Sequence, residues 1–121
     1  MTRFSTLVAA LALAGAHTMP HAQVSAMNGV LVGPNGMTLY TFDRDVAGSG
    51  QSMCTGNCAV NWPPLMAGMP PEGAGYSLIQ REDGTKQVAY KGKPLYYWSK
   101  DKMAGDKSGD GMNNMWRVAT P

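Results

Sequence analysis

The sequence predicts an all-β domain of mainly antiparallel hairpins and a meander. It has a pseudo-twofold internal duplication and at most one short helix near its two cysteines. Three observations predict this. The segment Gly36-Met-Thr-Leu39-Tyr40-Thr-Phe42-Asp-Arg-Asp45 matches Gly92-Lys-Pro-Leu95-Tyr96-Tyr-Trp98-Ser-Lys-Asp101 in the pattern G-x-x-L-Y-x-aromatic-x-x-D. Each copy then leads through a Gly-rich polar stretch to a tryptophan. The spacing hardly drifts, since Tyr96 follows Tyr40 by 56 residues and Trp116 follows Trp62 by 54. Finally, Asn-Gly and Asp-Gly pairs sit between short apolar runs, the strongest short-range sign of a hairpin. Two copies are too few for a solenoid, so the duplication reads as one pseudo-twofold domain.

Taken in order, residues 1–22 read as a secretory signal peptide. Arg3 supplies a positive start, and Leu7 to Leu13 is an apolar run ended by Gly15, too short to span a bilayer. Two cleavage points fit. Ala14-Gly15-Ala16 has the small-x-small form and would expose His17; cleavage after Ala22 would start at Gln23, with Pro20 where a small residue is preferred. No cysteine follows directly on the apolar run, so a lipid anchor is not expected; with a run too short to span, no membrane span is expected either, and the expected location is periplasmic or secreted. Residues 23–121 then form a single β-rich domain with related halves at about 29–65 and 76–119.

In the first half, Gly29 to Val32 and Thr38 to Phe42 flank Pro34-Asn35-Gly36 as a hairpin, with Tyr40 and Phe42 on one strand face. Cys54 to Trp62 is the one stretch suited to a short helix, which Pro63-Pro64 would stop. Residues 65–75 read as an irregular connector. In the second half, Tyr76 to Arg81 and Lys86 to Tyr90 flank Asp83-Gly84, a Lys91-Gly92 turn leads into Pro94 to Trp98, and Trp116 to Val118 is a short last strand.

The charges are scattered and the formal net charge is +2. That argues against nucleic acid and anionic membrane surfaces as partners. The unusual count is methionine, at 10 residues. No P-loop, G-x-S-x-G, H-E-x-x-H or C-x-x-C-H occurs, and both histidines, His17 and His21, lie beside the cleavage points, so a His-based catalytic site is not expected.

Tyr40-x-Phe42-x-x-Asp45 and Tyr96-x-Trp98-x-x-Asp101 resemble the Y-x-[FWY]-x-x-D motif of a bacterial family of secreted and lipoprotein repeats of unknown function. Cys54-Thr-Gly-Asn-Cys58-Ala-Val-Asn-Trp62-Pro-Pro-Leu65 resembles that family's cysteine and Trp-Pro-Pro segment, and Asp106-x-x-Gly109-Asp110-Gly111 with Trp116 resembles its C-terminal end. The resemblance spans nearly all of the chain past the leader. It implies an extracytoplasmic domain without an assigned activity.

The candidate residues carry two readings each. Tyr40, Phe42, Asp45, Tyr96, Trp98 and Asp101, with Trp62 and Trp116, read first as structural corners: aromatics fill a small core and each Asp accepts loop N–H groups. The functional reading is a hydrolase using Asp45 and Asp101 as paired carboxylates, which needs them about 5–10 Å apart. Cys54 and Cys58 read first as a disulfide, whose small ring is worth about 2 kcal/mol. The alternative is copper held by soft sulfur ligands: Cys54 and Cys58 with Met53, Met66, Met69, Met112 and Met115. Asp106, Ser108 and Asp110 have part of the spacing of a calcium loop, but Arg117 stands where a bidentate Glu is needed, so at most weak Ca²⁺ binding is expected. The function expected is an exported, non-enzymatic binding or interaction module without a bound cofactor. The copper-binding protein is the alternative, and the hydrolase the weaker one.

Overall fold

The computed structural model describes residues 23–121. The leader expected at residues 1–22 lies outside the described residues. The architecture is the all-β one: among the described residues there are seven short strands, all paired antiparallel, and one α-helix of about a turn and a half. No helix among the described residues is long and apolar enough to cross a membrane.

Strand β1 (Ser25–Met27) pairs with β2 (Val30–Val32) across Asn28-Gly29. Both turn residues have positive φ (54° and 79°), the geometry that Asn-Gly adopts with least strain. β1 was not expected, because Ser-Ala-Met carries no apolar alternation. It is exposed throughout and is held by backbone pairing alone. The expected hairpin around Asn35-Gly36 is present only next to its turn: Gly33 N–H donates to Met37 O and Leu39 N–H to Leu31 O. Beyond Leu39 the chain leaves β2, and β3 (Tyr40–Phe42) pairs instead with β7 (Trp116–Val118) at the far end of the chain.

The second copy repeats this. β4 (Tyr76–Gln80) pairs with β5 (Lys86–Tyr90), which pairs with β6 (Lys93–Pro94). The strand expected from Pro94 to Trp98 is shorter than that, because Tyr96 leaves β5 to bridge Tyr40 and Pro64. Helix α1 (Asn57–Asn61) ends where Trp62 turns extended (φ −124°, ψ 77°), as a residue before proline must.

The backbone shows how the copies are tied. Leu39 donates to Leu31, Leu31 to Ala119 and Ala119 to Leu39, closing a ring of three segments. In the second copy Leu95 donates to Val88, Val88 to Leu65 and Leu65 to Leu95, closing the same ring. In each ring two segments come from one copy and the third from the other. These residues bury the aliphatic core: Leu31, Leu39, Leu65, Val88, Leu95 and Ala119. Loop bonds repeat as well: Asp43 N–H reaches Met115 O, and Ser99 N–H reaches Asn61 O.

The second core is aromatic. Phe42 stacks on Trp116 (4.2 Å), Trp116 on Trp62 (3.8 Å) and Trp62 on Trp98 (4.0 Å). The Trp62 and Trp116 rings are parallel (0°), so the pseudo-twofold runs between them. Tyr40 meets Trp62 edge-on at 5.3 Å, and Tyr96 meets Trp116 edge-on at 5.2 Å. Each such pair adds about 0.5–1.5 kcal/mol beyond its burial. The column leaves no room beside it. A Cβ on Gly109 would stand 2.7 Å from the Trp62 ring and 2.9 Å from that of Trp98.

Candidate functional site

The motif residues meet at the pseudo-twofold axis. Tyr40 and Tyr96 exchange backbone hydrogen bonds, N–H to O, at 2.8 and 3.0 Å. Their side chains then cross. The Tyr40 hydroxyl donates to Asp101 Oδ2 (2.7 Å), and the Tyr96 hydroxyl donates to Asp45 Oδ2 (2.6 Å). Each tyrosine therefore serves the aspartate of the other copy.

The second oxygen of each Asp anchors the loop that follows it. Asp45 Oδ1 accepts Met53 N–H at 2.6 Å. Asp101 Oδ1 accepts the Ser108 N–H at 3.0 Å and its hydroxyl at 2.6 Å. The phenol oxygens are satisfied too: Gly109 N–H donates to Tyr40, and Ser52 Oγ lies 2.7 Å from Tyr96 Oη. Both tyrosines are fully buried, and Asp45 and Asp101 are 3 % and 8 % exposed. Both oxygens of each carboxylate are thus taken up by hydrogen bonds within the protein.

Burial pushes both Tyr40 and Tyr96 well above the ordinary tyrosine range, and the bond to the partner Asp pushes further in the same direction. The fold thus favours the neutral phenols. Their contribution is fully present below the ordinary value of about 10 and is lost as pH rises through the elevated folded values. Stability should therefore fall steeply above about pH 10. Denaturant midpoints against pH test this: Tyr40→Phe and Tyr96→Phe should each make the alkaline limb shallower, and the double variant more so than either. Phenols that ionise near the ordinary value while the fold persists would contradict it.

The cysteines are joined as a Cys54–Cys58 disulfide. Cys54 is fully buried in the aromatic core, with Cys58 packed at its border. Both sulfurs being in the bond, neither is a thiolate, and the copper set loses its two strongest ligands in this state. The methionines fall into two groups. Met112 and Met115 pack against the aromatic cluster. Met53, Met66 and Met69 are exposed, at 59 %, 43 % and 49 %. Among the described residues no three His, Cys, Asp or Glu side chains gather as a metal-ligating group.

The Asp106 loop directs its polar atoms elsewhere. Asp106 Oδ2 accepts the Lys102 and Met103 N–H groups, Ser108 serves Asp101, and Asp110 Oδ1 accepts Val118 N–H. These are the bonds of an Asx-rich turn.

Sequence reasoning missed Arg81. It closes the end of β4, only 9 % exposed. Its Nη1 donates to Gln87 Oε1 and its Nη2 to Cys54 O, both at 2.7 Å. The signal was parity: Arg81 lies two residues past the buried Ile79, on its strand face, where an apolar side chain is normal. Arg81 lines two adjoining hollows of about 400 and 270 Å³ that share Thr55 and Glu82. Met53 borders the larger and Met66 the smaller, so the two form one groove beside the disulfide.

One comparison with known proteins places the sequence. A family model described as Lipoprotein_15, secreted repeat of unknown function, matches twice, over residues 23–66 and 77–120. No curated protein and no solved structure matches.

Proposed function

We propose, from the premise that the chain belongs to this family of secreted repeats, that it is a rigid, non-enzymatic binding module acting in the periplasm or outside the cell. The observation that carries this reading is the closure of the motif. Both aspartates and both tyrosines are buried and bonded to one another, so the family signature builds the fold and leaves ligand contact to surface positions. The groove between Met53, Thr55, Arg81 and Met66 supports the reading further. It sets exposed thioethers beside a buried cation, a mixture of apolar and convergent polar groups suited to a ligand.

The test is an amide chemical-shift titration of the oxidised protein with small carboxylates, phosphate, neutral sugars, short peptides and Cu(I). Perturbations should cluster on residues 51–56, 64–66 and 80–83. Shifts confined to other surfaces would contradict the assignment, as would turnover of any of these compounds. A response to Cu(I) alone, centred on Met53 and Met66, would favour a copper-binding role over it.

A further inference from the structure

We propose that the Arg81 groove takes a carboxylate, with the guanidinium as its receptor. This rests on the reading of the groove as the binding face. The argument starts from a buried charge. Arg81 has five N–H donors, and its two hydrogen bonds within the protein go to neutral oxygens, Gln87 Oε1 and Cys54 O. Among the described residues its guanidinium forms no ion pair; the one ion pair is Arg117–Asp43, on the surface.

The nearby acids do not fill the role. Asp45 is taken up by Tyr96 and Met53. Asp83 Oδ1 accepts both the N–H and the hydroxyl of Thr85, closing its own turn. A cation withdrawn from water with no ion-pair partner is costly, and Arg81 is a lining residue of both hollows of the groove.

Two features narrow the ligand. The guanidinium is held in place from both sides, by Gln87 and by the Cys54 carbonyl that the disulfide loop positions. A fixed, planar fork with unused donors suits the planar, two-oxygen carboxylate. Glu82 lines both hollows together with Arg81. It disfavours ligands of high negative charge, such as phosphate, and leaves room for a singly charged acid. Met53 and Met66 offer deformable apolar contact to whatever carries the carboxylate.

The experiment titrates the oxidised protein with acetate, a short peptide bearing a free C-terminus, the same peptide amidated, and inorganic phosphate, following the Arg81 Nε–H resonance and groove amides. Acetate and the free-acid peptide should shift Arg81 Nε–H; the amidated peptide should not, and phosphate should bind more weakly. Equal affinity of acetate and peptide points to a free small acid, and a tighter peptide points to a polypeptide end; both agree with the proposal. Arg81→Gln should weaken binding by about ten- to a hundredfold, the worth of a charged hydrogen-bond pair.

Arg81 also braces the Cys54 loop, so its loss could cost folding. Glu82→Gln supplies the independent arm: exposed and outside the core, it should raise carboxylate affinity severalfold, which a purely structural Arg81 would not produce. Binding of the amidated peptide equal to the free acid, tighter binding of phosphate, or an unchanged affinity in Glu82→Gln overturns the carboxylate assignment. If groove amides respond to another ligand while Arg81 Nε–H does not, this assignment falls and the binding groove stands. If no ligand moves them, both fall.

Discussion

Neither copy of the motif should fold as a monomer on its own. Residues 23–75, produced separately, keep Leu31 and Leu39 but lose Ala119, the third member of their hydrogen-bonded ring, and lose β7, the partner of β3. Residues 76–121 keep Val88 and Leu95 but lose Leu65, and Tyr96 loses both its bridges, to Tyr40 and Pro64. The aromatic column is cut at each of its interfaces, because Phe42 and Trp62 come from one copy and Trp98 and Trp116 from the other. Chains of this length are already short of core to offset their conformational entropy. Circular dichroism and amide dispersion of each fragment should show a disordered chain, and mixing the two should restore β structure. A lone, monomeric fragment that unfolds cooperatively would contradict the interlocked arrangement.

Breaking a single corner should be costly for a different reason. Asp101→Asn removes a charged acceptor from the buried Tyr40 hydroxyl and from Ser108, and Asp45→Asn does the same to Tyr96 and the Met53 N–H. Hydrogen bonds to charged groups are worth about 1.5–3 kcal/mol each, and an abandoned buried donor costs a further desolvation penalty. Against a typical total of about 5–15 kcal/mol for a domain, either change should lower the denaturant midpoint clearly. The Asp43–Arg117 pair on the surface has the same chemistry, yet both partners are nearly half exposed. Asp43→Asn should cost less than about 1 kcal/mol.

Much of the architecture was legible because it is local. The turns at Asn35-Gly36 and Asp83-Gly84, the period-two faces of β4 and β5, and the helix stop at Pro63 are all set by neighbours in sequence. The repeat itself was visible in Leu39-Tyr40 and Leu95-Tyr96. The crossing was not. Sequence periodicity says that Tyr40 and Asp45 belong to one motif, but nothing in their spacing says that the tyrosine bonds to Asp101. Pairing of β3 with β7 is likewise non-local, and it overrode the hairpin that Pro34-Asn35-Gly36 favoured. Arg81 was passed over because a charge beside Glu82-Asp83-Gly84 looks like part of a solvated turn. Only the burial of Gln87 and Cys54 around it shows otherwise.

The crosswise corners can be measured directly by double-mutant cycles on equilibrium unfolding. Tyr40→Phe combined with Asp101→Asn, and Tyr96→Phe combined with Asp45→Asn, should each show a coupling of about 1–3 kcal/mol. The same-copy combinations, Tyr40→Phe with Asp45→Asn and Tyr96→Phe with Asp101→Asn, should be additive to within about 0.5 kcal/mol. Strong coupling within each copy and additivity between copies would contradict the exchange of partners on which the fold is built.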